Sequence, residues 1–450
     1  MASNTIRIGG GASFADDRIH PAVEMAKKGN LDYIVFECLA ERTIARENQT
    51  RKKDPSRGYT PRLMQRMSAV LPHCIRNDVK IVTSMGAANP LGACREVLRY
   101  AREQAMPVKC AAVLGDDVTE IVRRNPRLPM LEDGKPVEAI LDRMVSANAY
   151  LGADLIAQAL GTGANVVMTG RVGDPSLFLA AAMHHFGWRY DDWDRLANGI
   201  AMGHLLECSS QVTGGNFADC GRKEVPDLVN LGFPIAEMDR DGNCIVTKLE
   251  DAGGLVDIAT CTEQLLYELH DPEAYVTPDC VLDVSNLEFE QVGKDRVRFT
   301  GARAKPRTPF YKVTVGYDDG YIGEGQISFA GINAVKKARL AAHLIEERLK
   351  QHSGLTYSEW RVDLIGIDSL HKNAPHDRPE PYEVRLRLTG RTDDRKAAEA
   401  IGFETRALHV QGPCGGAGAS DPVVREVLAV KSVLLPREQV DPQTSVQVVE

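Results

Sequence analysis

The sequence predicts an α/β protein: a mostly parallel, doubly wound (Rossmann-like) sheet, a β-rich middle section and a C-terminal α+β domain. Three observations carry this. Short apolar strands, polar loops and helices repeat through the first 190 residues, the pattern of a parallel sheet with right-handed crossovers. Gly-rich loops and a turn-punctuated pair of strands then break that pattern. From about Phe310 strands and helices alternate in a different order. A closed barrel uses the same opening repeat; the doubly wound sheet fits best.

The repeat is explicit. Ile6-Arg7-Ile8 runs into Gly9-Gly10-Gly11, with a helix from Pro21 to Lys28. Tyr33-Ile34-Val35-Phe36 ends in Glu37-Cys38-Leu39-Ala40-Glu41-Arg42, and a basic loop from Arg51 to Pro61 precedes a helix from Arg62 to Arg76. Lys80-Ile81-Val82-Thr83 leads to Asn89-Pro90, an N-cap followed by proline at the first helical position. Lys109 to Val113 ends in Leu114-Gly115-Asp116-Asp117, and Val145 to Tyr150 reads as a further strand end. Asn165 to Thr169 is short and β-branched, as a strand covered on both faces requires. Gly170-Arg171-Val172-Gly173-Asp174-Pro175 follows, with Asp174 placed to cap the next helix.

In the middle, Asp191 to Cys208 has helical apolar spacing, and Ser209 to Phe217 is a polar, Gly-rich loop. Pro234 to Met238 and Cys244 to Lys248 flank a hairpin turn, Asp239 to Asn243. Gly253-Gly254 precedes a helix from Thr262 to Leu269. Beyond it, Tyr311 to Phe329 reads as a β-hairpin, Asn333 to Gln351 as an amphipathic helix, Arg361 to Ile367 and Tyr382 to Leu388 as strands, Asp393 to Ile401 as a helix and Val427 to Leu435 as a strand. With one hairpin strand counted, the order β-α-β-β-α-β is the ferredoxin-like unit. The expected domains are 1–305 and 306–450.

Composition bounds the function. At 450 residues with 43% apolar and 26% charged content, the chain can bury a large core. A net charge of −8 argues against nucleic acid and anionic membrane surfaces as partners. No apolar run reaches the about 18 residues of a spanning helix, and no basic-then-apolar leader precedes Ile6, so a cytoplasmic protein is expected. The 10 cysteines lack Cys-x-x-Cys spacing and read as free thiols, so no metal site is expected.

In open α/β sheets ligands bind outside the carboxyl ends of the strands. Glu37 stands there as a candidate general base, with Glu41 behind it. Arg171 is a candidate fork for a carboxylate or phosphate, against the alternative that it bonds Asp174 and fixes the loop. Asn89, Asp116 and Asn148 sit at other strand ends and join the substrate-binding candidates. Gln211, Thr213, Gly214, Gly215 and Asn216 offer backbone N–H groups to an oxyanion. Lys248 ends a strand and could steady an enolate or carboxylate. His204 and Glu207 lie three apart on one helix and can share a face. Gly9-Gly10-Gly11 lacks the third glycine of a dinucleotide fingerprint, since Phe14 occupies its place, and no Gly-x-Ser-x-Gly elbow is present.

The motifs Phe36-Glu37-Cys38-Leu39-Ala40-Glu41-Arg42-Thr43, Met85-Gly86-Ala87-Ala88-Asn89-Pro90, Thr169-Gly170-Arg171-Val172 with Asp174, and Gln211-Val212-Thr213-Gly214-Gly215-Asn216-Phe217 together resemble the acyclic terpene utilisation AtuA family. The resemblance spans essentially the whole chain, including Gly253-Gly254 and Gly415-Gly416-Ala417-Gly418. It implies a cytosolic catabolic enzyme of branched acyl compounds and leaves the chemistry open. The combined expectation is a lyase, first a hydro-lyase, acting on a small branched carboxylate or its CoA ester. A carbon–carbon lyase and a non-catalytic binding or assembly subunit are the alternatives. Glu37, Arg171 and Lys248 form the expected catalytic group. The cofactor is left open, a CoA ester being a candidate substrate. Partners are expected to be a small molecule, a second copy of the chain and, in the subunit reading, a small partner protein.

Overall fold

The computed structural model describes residues 5–372 and 379–450. In chain order the first elements are β1 (Thr5–Ala12), α1 (His20–Lys28), β2 (Tyr33–Phe36), α2 (Glu41–Lys53), α3 (Leu63–Arg76), β3 (Lys80–Thr83), α4 (Pro90–Glu103), β4 (Cys110–Leu114), α5 (Thr119–Arg124), β5 (Met144–Ala149), α6 (Ala153–Gly161), β6 (Val166–Thr169), α7 (Asp174–Phe186) and α8 (Trp193–Glu207). There follow β7 (Pro234–Asp239), β8 (Cys244–Lys248), α9 (Ile258–Leu266), β9 (Tyr275–Val276), β10 (Cys280–Asp283), β11 (Glu288–Gly293), β12 (Arg296–Thr300) and β13 (Arg303–Pro306). The last are β14 (Phe310–Ala330), α10 (Ala334–Ser353), β15 (Glu359–Ile365), β16 (Glu383–Thr392), α11 (Arg395–Gln411), β17 (Gly416–Ala417), β18 (Val423–Pro436), α12 (Arg437–Val440) and β19 (Ser445–Val449). The chain divides into two units, Met1–Gly316 with Val430–Glu450, and Tyr317–Ala429.

The first unit is built on a ten-stranded mixed sheet in the order β11-β12-β8-β7-β1-β2-β3-β6-β4-β19. Its centre, β1-β2-β3-β6-β4, is parallel. Antiparallel strands extend it on both sides. The expected mostly parallel sheet is therefore a mixed one. The reason is local: the turn after Asp239 folds β8 back on β7, and the short alternating segment Ser445-Val446-Gln447-Val448-Val449 zips onto the free edge of β4.

The order of the parallel strands decides where a ligand can sit. The chain steps one way through β1, β2, β3 and β4, then turns back to lay β6 between β3 and β4. Right-handed crossovers make such a reversal change faces. Accordingly α1, α3 and α4 pack together on one face, while α6, α7 and α8 pack together on the other. The loops leaving β3 and β6 therefore part company, and the crevice between their carboxyl ends is a topological switch point. Ile34, Phe36, Ile81, Met85, Val166 and Met168 are buried beneath it and stiffen the strand ends.

In the second unit the sheet runs β15-β16-β14-β17, with β18 also paired to β14. Helices α10 and α11 pack against it over a core that includes Ile327, Phe329, Ala338, Ile345, Leu386 and Ile401. The hairpin expected between Tyr311 and Phe329 is one 21-residue strand. Asp318-Asp319-Gly320 carries the turn signal, yet Gly320 absorbs it at φ +75 inside the strand, and the ladder to β16 starts at once with Tyr321.

Candidate functional site

Four strand ends converge at the crevice. Glu37 follows β2, Asp116 follows β4, Arg171 follows β6, and Asn148 lies on β5. All four are buried. Arg171 organises the group. Its guanidinium donates to the Leu39 carbonyl, to the Val172 carbonyl from Nε (2.8 Å) and Nη2 (2.6 Å), and pairs with Asp174. It also stacks 4.5 Å from the centre of the Tyr150 ring. At 1% exposure this cation is held by the protein rather than by water, and its donors are committed to the loop. Asp174 is the first residue of α7, so Gly173 takes the cap position expected for Asp174.

Glu37 lies within electrostatic reach of this cation. Its Oε1 accepts the Leu39 N–H at 2.8 Å, so Glu37 and Arg171 grip the same residue from two sides. Burial pushes its carboxyl up to about 7, with Arg171 and the Leu39 N–H opposing, and Glu207 and Glu41 adding like charge. Asp116 behaves similarly. Burial pushes it up to about 6, while the Arg171 backbone N–H and the Asn148 amide, both 2.9 Å from Oδ2, pull down. Asn148 Oδ1 in turn accepts from Asn48 Nδ2 at 3.1 Å, so a chain of amides fixes the Asp116 carboxylate. Gly170 makes this approach possible, because a Cβ there would lie 2.4 Å from Asp116 Oδ1.

The outer wall is wetter. Glu41 accepts the Tyr150 hydroxyl and stands 3.6 Å from Lys312 Nζ. Burial works against its charge, but Tyr150, Arg171 and Lys312 together bring it down to about 2. Thr314 Oγ1 donates to the same phenol at 3.1 Å. Glu41, Tyr150, Asp174, Tyr275 and Lys312 border a cavity of about 640 Å³. On the α8 side, Glu207 is buried, raised by burial, and within electrostatic reach of Glu37 and Arg171.

The other sequence-selected residues lie elsewhere or are already engaged. Asn89 caps α4 through Gly92 N (3.0 Å) and holds the preceding loop by donating to the Arg57 carbonyl (2.9 Å). The N–H groups of Thr213, Gly214 and Gly215 all close turns onto Ser210 or Gln211, and Thr213 Oγ1 donates to the Gly232 carbonyl at 2.6 Å. Gln211 and Asn216 bracket that turn, Asn216 at φ +61. Lys248 belongs to a separate cavity of about 520 Å³, where it pairs with Asp295 at 3.3 Å and donates to the Ala252 carbonyl at 2.8 Å. Among the described residues no three His, Cys, Asp or Glu side chains are grouped as a metal ion would need.

Tyr150, Asn48 and Lys312 were not singled out from the sequence. Two signals could have found the first pair. Asn148 and Tyr150 are two apart on an extended segment and share a side. Glu41 and Asn48 are seven apart on a helix and share a face.

Residues 6–446 match the profile of the acyclic terpene utilisation family protein AtuA. The chain belongs to the AtuA family. No curated protein and no solved structure matches it. The match runs from β1 to β19, so the corner around Glu37, Arg171 and Asp116 lies within the AtuA-family region, as does the second unit. Membership gives this chain a role in acyclic terpene utilisation. No helix among the described residues is long and apolar enough to cross a membrane.

Proposed function

We propose that this AtuA-family chain is a lyase, a hydro-lyase, acting on a small branched carboxylate or its acyl-CoA ester in acyclic terpene-type degradation, with Glu37 as the base. One observation carries the reading. A carboxyl at the carboxyl end of a central parallel strand, held near pH 7, is poised to take a proton from carbon and give it back. Arg171 acts on it through charge: it opposes burial and keeps the ionised form within reach of neutral pH. Elimination then needs a cavity that holds a small branched acyl group beside Glu37. One candidate is the cavity bordered by Glu41, Tyr150 and Lys312, which has the volume of a small-molecule site and is lined by Glu41 and Asp174 but not by Glu37 itself. Lys312 stands at its wall with a cation for the carboxylate. We infer likewise a Rossmann-like core, supported by the five parallel central strands, and a ferredoxin-like second unit, supported by the order β14-α10-β15-β16-α11-β18.

The test is turnover of a panel of branched 3-hydroxy acids and enoyl-CoA esters by the purified protein. Glu37→Gln, which keeps shape and loses the base, should lower kcat by roughly 10³-fold. Wild-type turnover that survives this change removes Glu37 from the reaction. Cleavage into two carbon fragments replaces the hydro-lyase with a carbon–carbon lyase. Binding without turnover makes the chain a binding subunit.

A further inference from the structure

α8 ends on a buried pair that the reading above leaves unused. His204 Nδ1 lies 2.9 Å from Glu207 Oε1, and His204 Nε2 lies 3.0 Å from the Leu265 carbonyl oxygen. A carbonyl only accepts, so Nε2 carries a hydrogen. One further proton then sits between Nδ1 and Oε1: on the carboxyl, facing a neutral ring, or on the ring, facing a carboxylate. Both arrangements hold the same number of protons and the same net charge. The pair is thus a one-proton reservoir whose members are 1% and 7% exposed.

Beside it, three buried polar atoms are left without partners. Glu207 Oε2, Ser209 Oγ and Gln264 Oε1 are buried and have no hydrogen-bond partner among the described residues. Gln264 cannot turn its amide without loss, because its Nε2 donates to the His204 carbonyl at 2.9 Å. Two acceptors, one in the last turn of α8 and one on α9, and one hydroxyl two residues past α8 are thus left unpaired. Buried polar groups are almost always hydrogen-bonded, so three left unpaired call for a partner supplied from outside the chain. A hydroxyl suits them: it gives its hydrogen to one acceptor and receives one in return.

We infer that Glu207, positioned by His204, is the acid that protonates the departing hydroxyl of the hydroxy acid, an inference that rests on the hydro-lyase reading. The Glu37 carboxylate first takes the proton from the carbon beside the carbonyl. The electron pair of that C–H bond then becomes the new C=C bond as the C–O bond breaks, and the proton of the His204–Glu207 pair joins the leaving oxygen to give water. Glu37 ends protonated and Glu207 ionised, and exchange with solvent resets both. Ser209 and Gln264 hold the hydroxyl until it leaves.

The two half-steps separate in D2O. Wild type, Glu37→Gln, Glu207→Gln and His204→Asn are incubated with whichever 3-hydroxyacyl compound of the panel wild type turns over. Deuterium at the α-carbon is read by mass spectrometry and alkene by absorbance. Glu37→Gln should lose both signals. Glu207→Gln should lose alkene formation by at least about 100-fold and keep α-carbon exchange, and His204→Asn should slow alkene formation while keeping exchange. Ser209→Ala, which removes a hydroxyl without a partner, should bind 3-hydroxy-3-methylbutyrate less tightly and 3-methylbutyrate equally well. Alkene formation at the wild-type rate in Glu207→Gln, or joint loss of both signals in Glu207→Gln or His204→Asn with a wild-type circular dichroism spectrum, overturns the inference and leaves the hydro-lyase reading standing. Wild type that neither exchanges nor eliminates with any compound of the panel overturns both.

Discussion

Asp279 and Glu37 are both buried carboxyls whose charge burial opposes, and they are held in opposite ways. Asp279 Oδ1 accepts the Ala153 N–H at 2.7 Å and the Tyr190 hydroxyl at 3.1 Å, and Oδ2 accepts the Ser176 hydroxyl at 2.5 Å. It thereby pins the starts of α6 and α7 and the segment that follows α7. Glu37 has one N–H from Leu39 and a cation, Arg171, whose donors are spent on backbone carbonyls and Asp174. A carboxylate whose lone pairs are filled by the protein is scaffold. A carboxylate that keeps a lone pair and a displaced affinity for protons is available for chemistry.

That contrast can be broken at four points. Arg171→Met should destabilise the fold most, by about 4 kcal/mol in urea denaturation, because it strands Asp174 and uncaps the Leu39 and Val172 carbonyls. A residue serving only as a ligand anchor would instead raise KM and leave the denaturation midpoint in place. Asp279→Ala should cost about 3 kcal/mol by leaving three donors without an acceptor, while kcat per folded molecule stays near wild type. Turnover lost out of proportion to folding would move Asp279 into the site.

Glu37→Gln sharpens the comparison through pH. The folded carboxyl is raised to about 7 from the ordinary glutamate value of 4.5, so the folded state binds more protons than the unfolded state between those values. Wild-type stability therefore falls as pH rises through that window, and above it the ionised carboxylate remains a standing cost. The variant, with nothing to ionise, should gain about 2 kcal/mol on wild type between pH 5 and pH 8 in matched thermal melts. A flat difference curve would show that Arg171 fully offsets burial. The smallest effect is expected at Lys248→Met, about 1 kcal/mol, as Asp295 loses its cation and keeps the Val256 N–H while the methylene stem still fills the space. Unchanged kinetics there would set the Lys248 loop apart from the chemistry.

Much of the central sheet was legible because its strands are short, β-branched runs between turn residues: Tyr33–Phe36, Lys80–Thr83 and Val166–Thr169 stand where the pattern put them. Cooperative long-range pairing was not legible. Nothing local in Ser445–Val449 says that it closes the edge of β4, and nothing in Asp318-Asp319-Gly320 says that the strand runs on. The site divides the same way. Glu37, Asp116 and Arg171 could be picked from their places after strands. That Arg171 spends its donors on its own loop, and that Glu207 reaches the same corner from α8, follow from which helices lie on which face. The helix expected from Thr262 begins at Ile258, because Asp257 and Thr260 form a reciprocal cap four residues earlier.

The pairing of β19 with β4 has a consequence for synthesis. Ser445–Val449 leave the ribosome long after β4 and the rest of the parallel centre. Until then one rim of the sheet presents bare N–H and C=O groups from Cys110 to Leu114, a template for any other extended chain nearby. This strand is a closing seam. A nascent chain stalled before residue 445 leaves that rim unsealed, the form in which this protein would be most prone to clump.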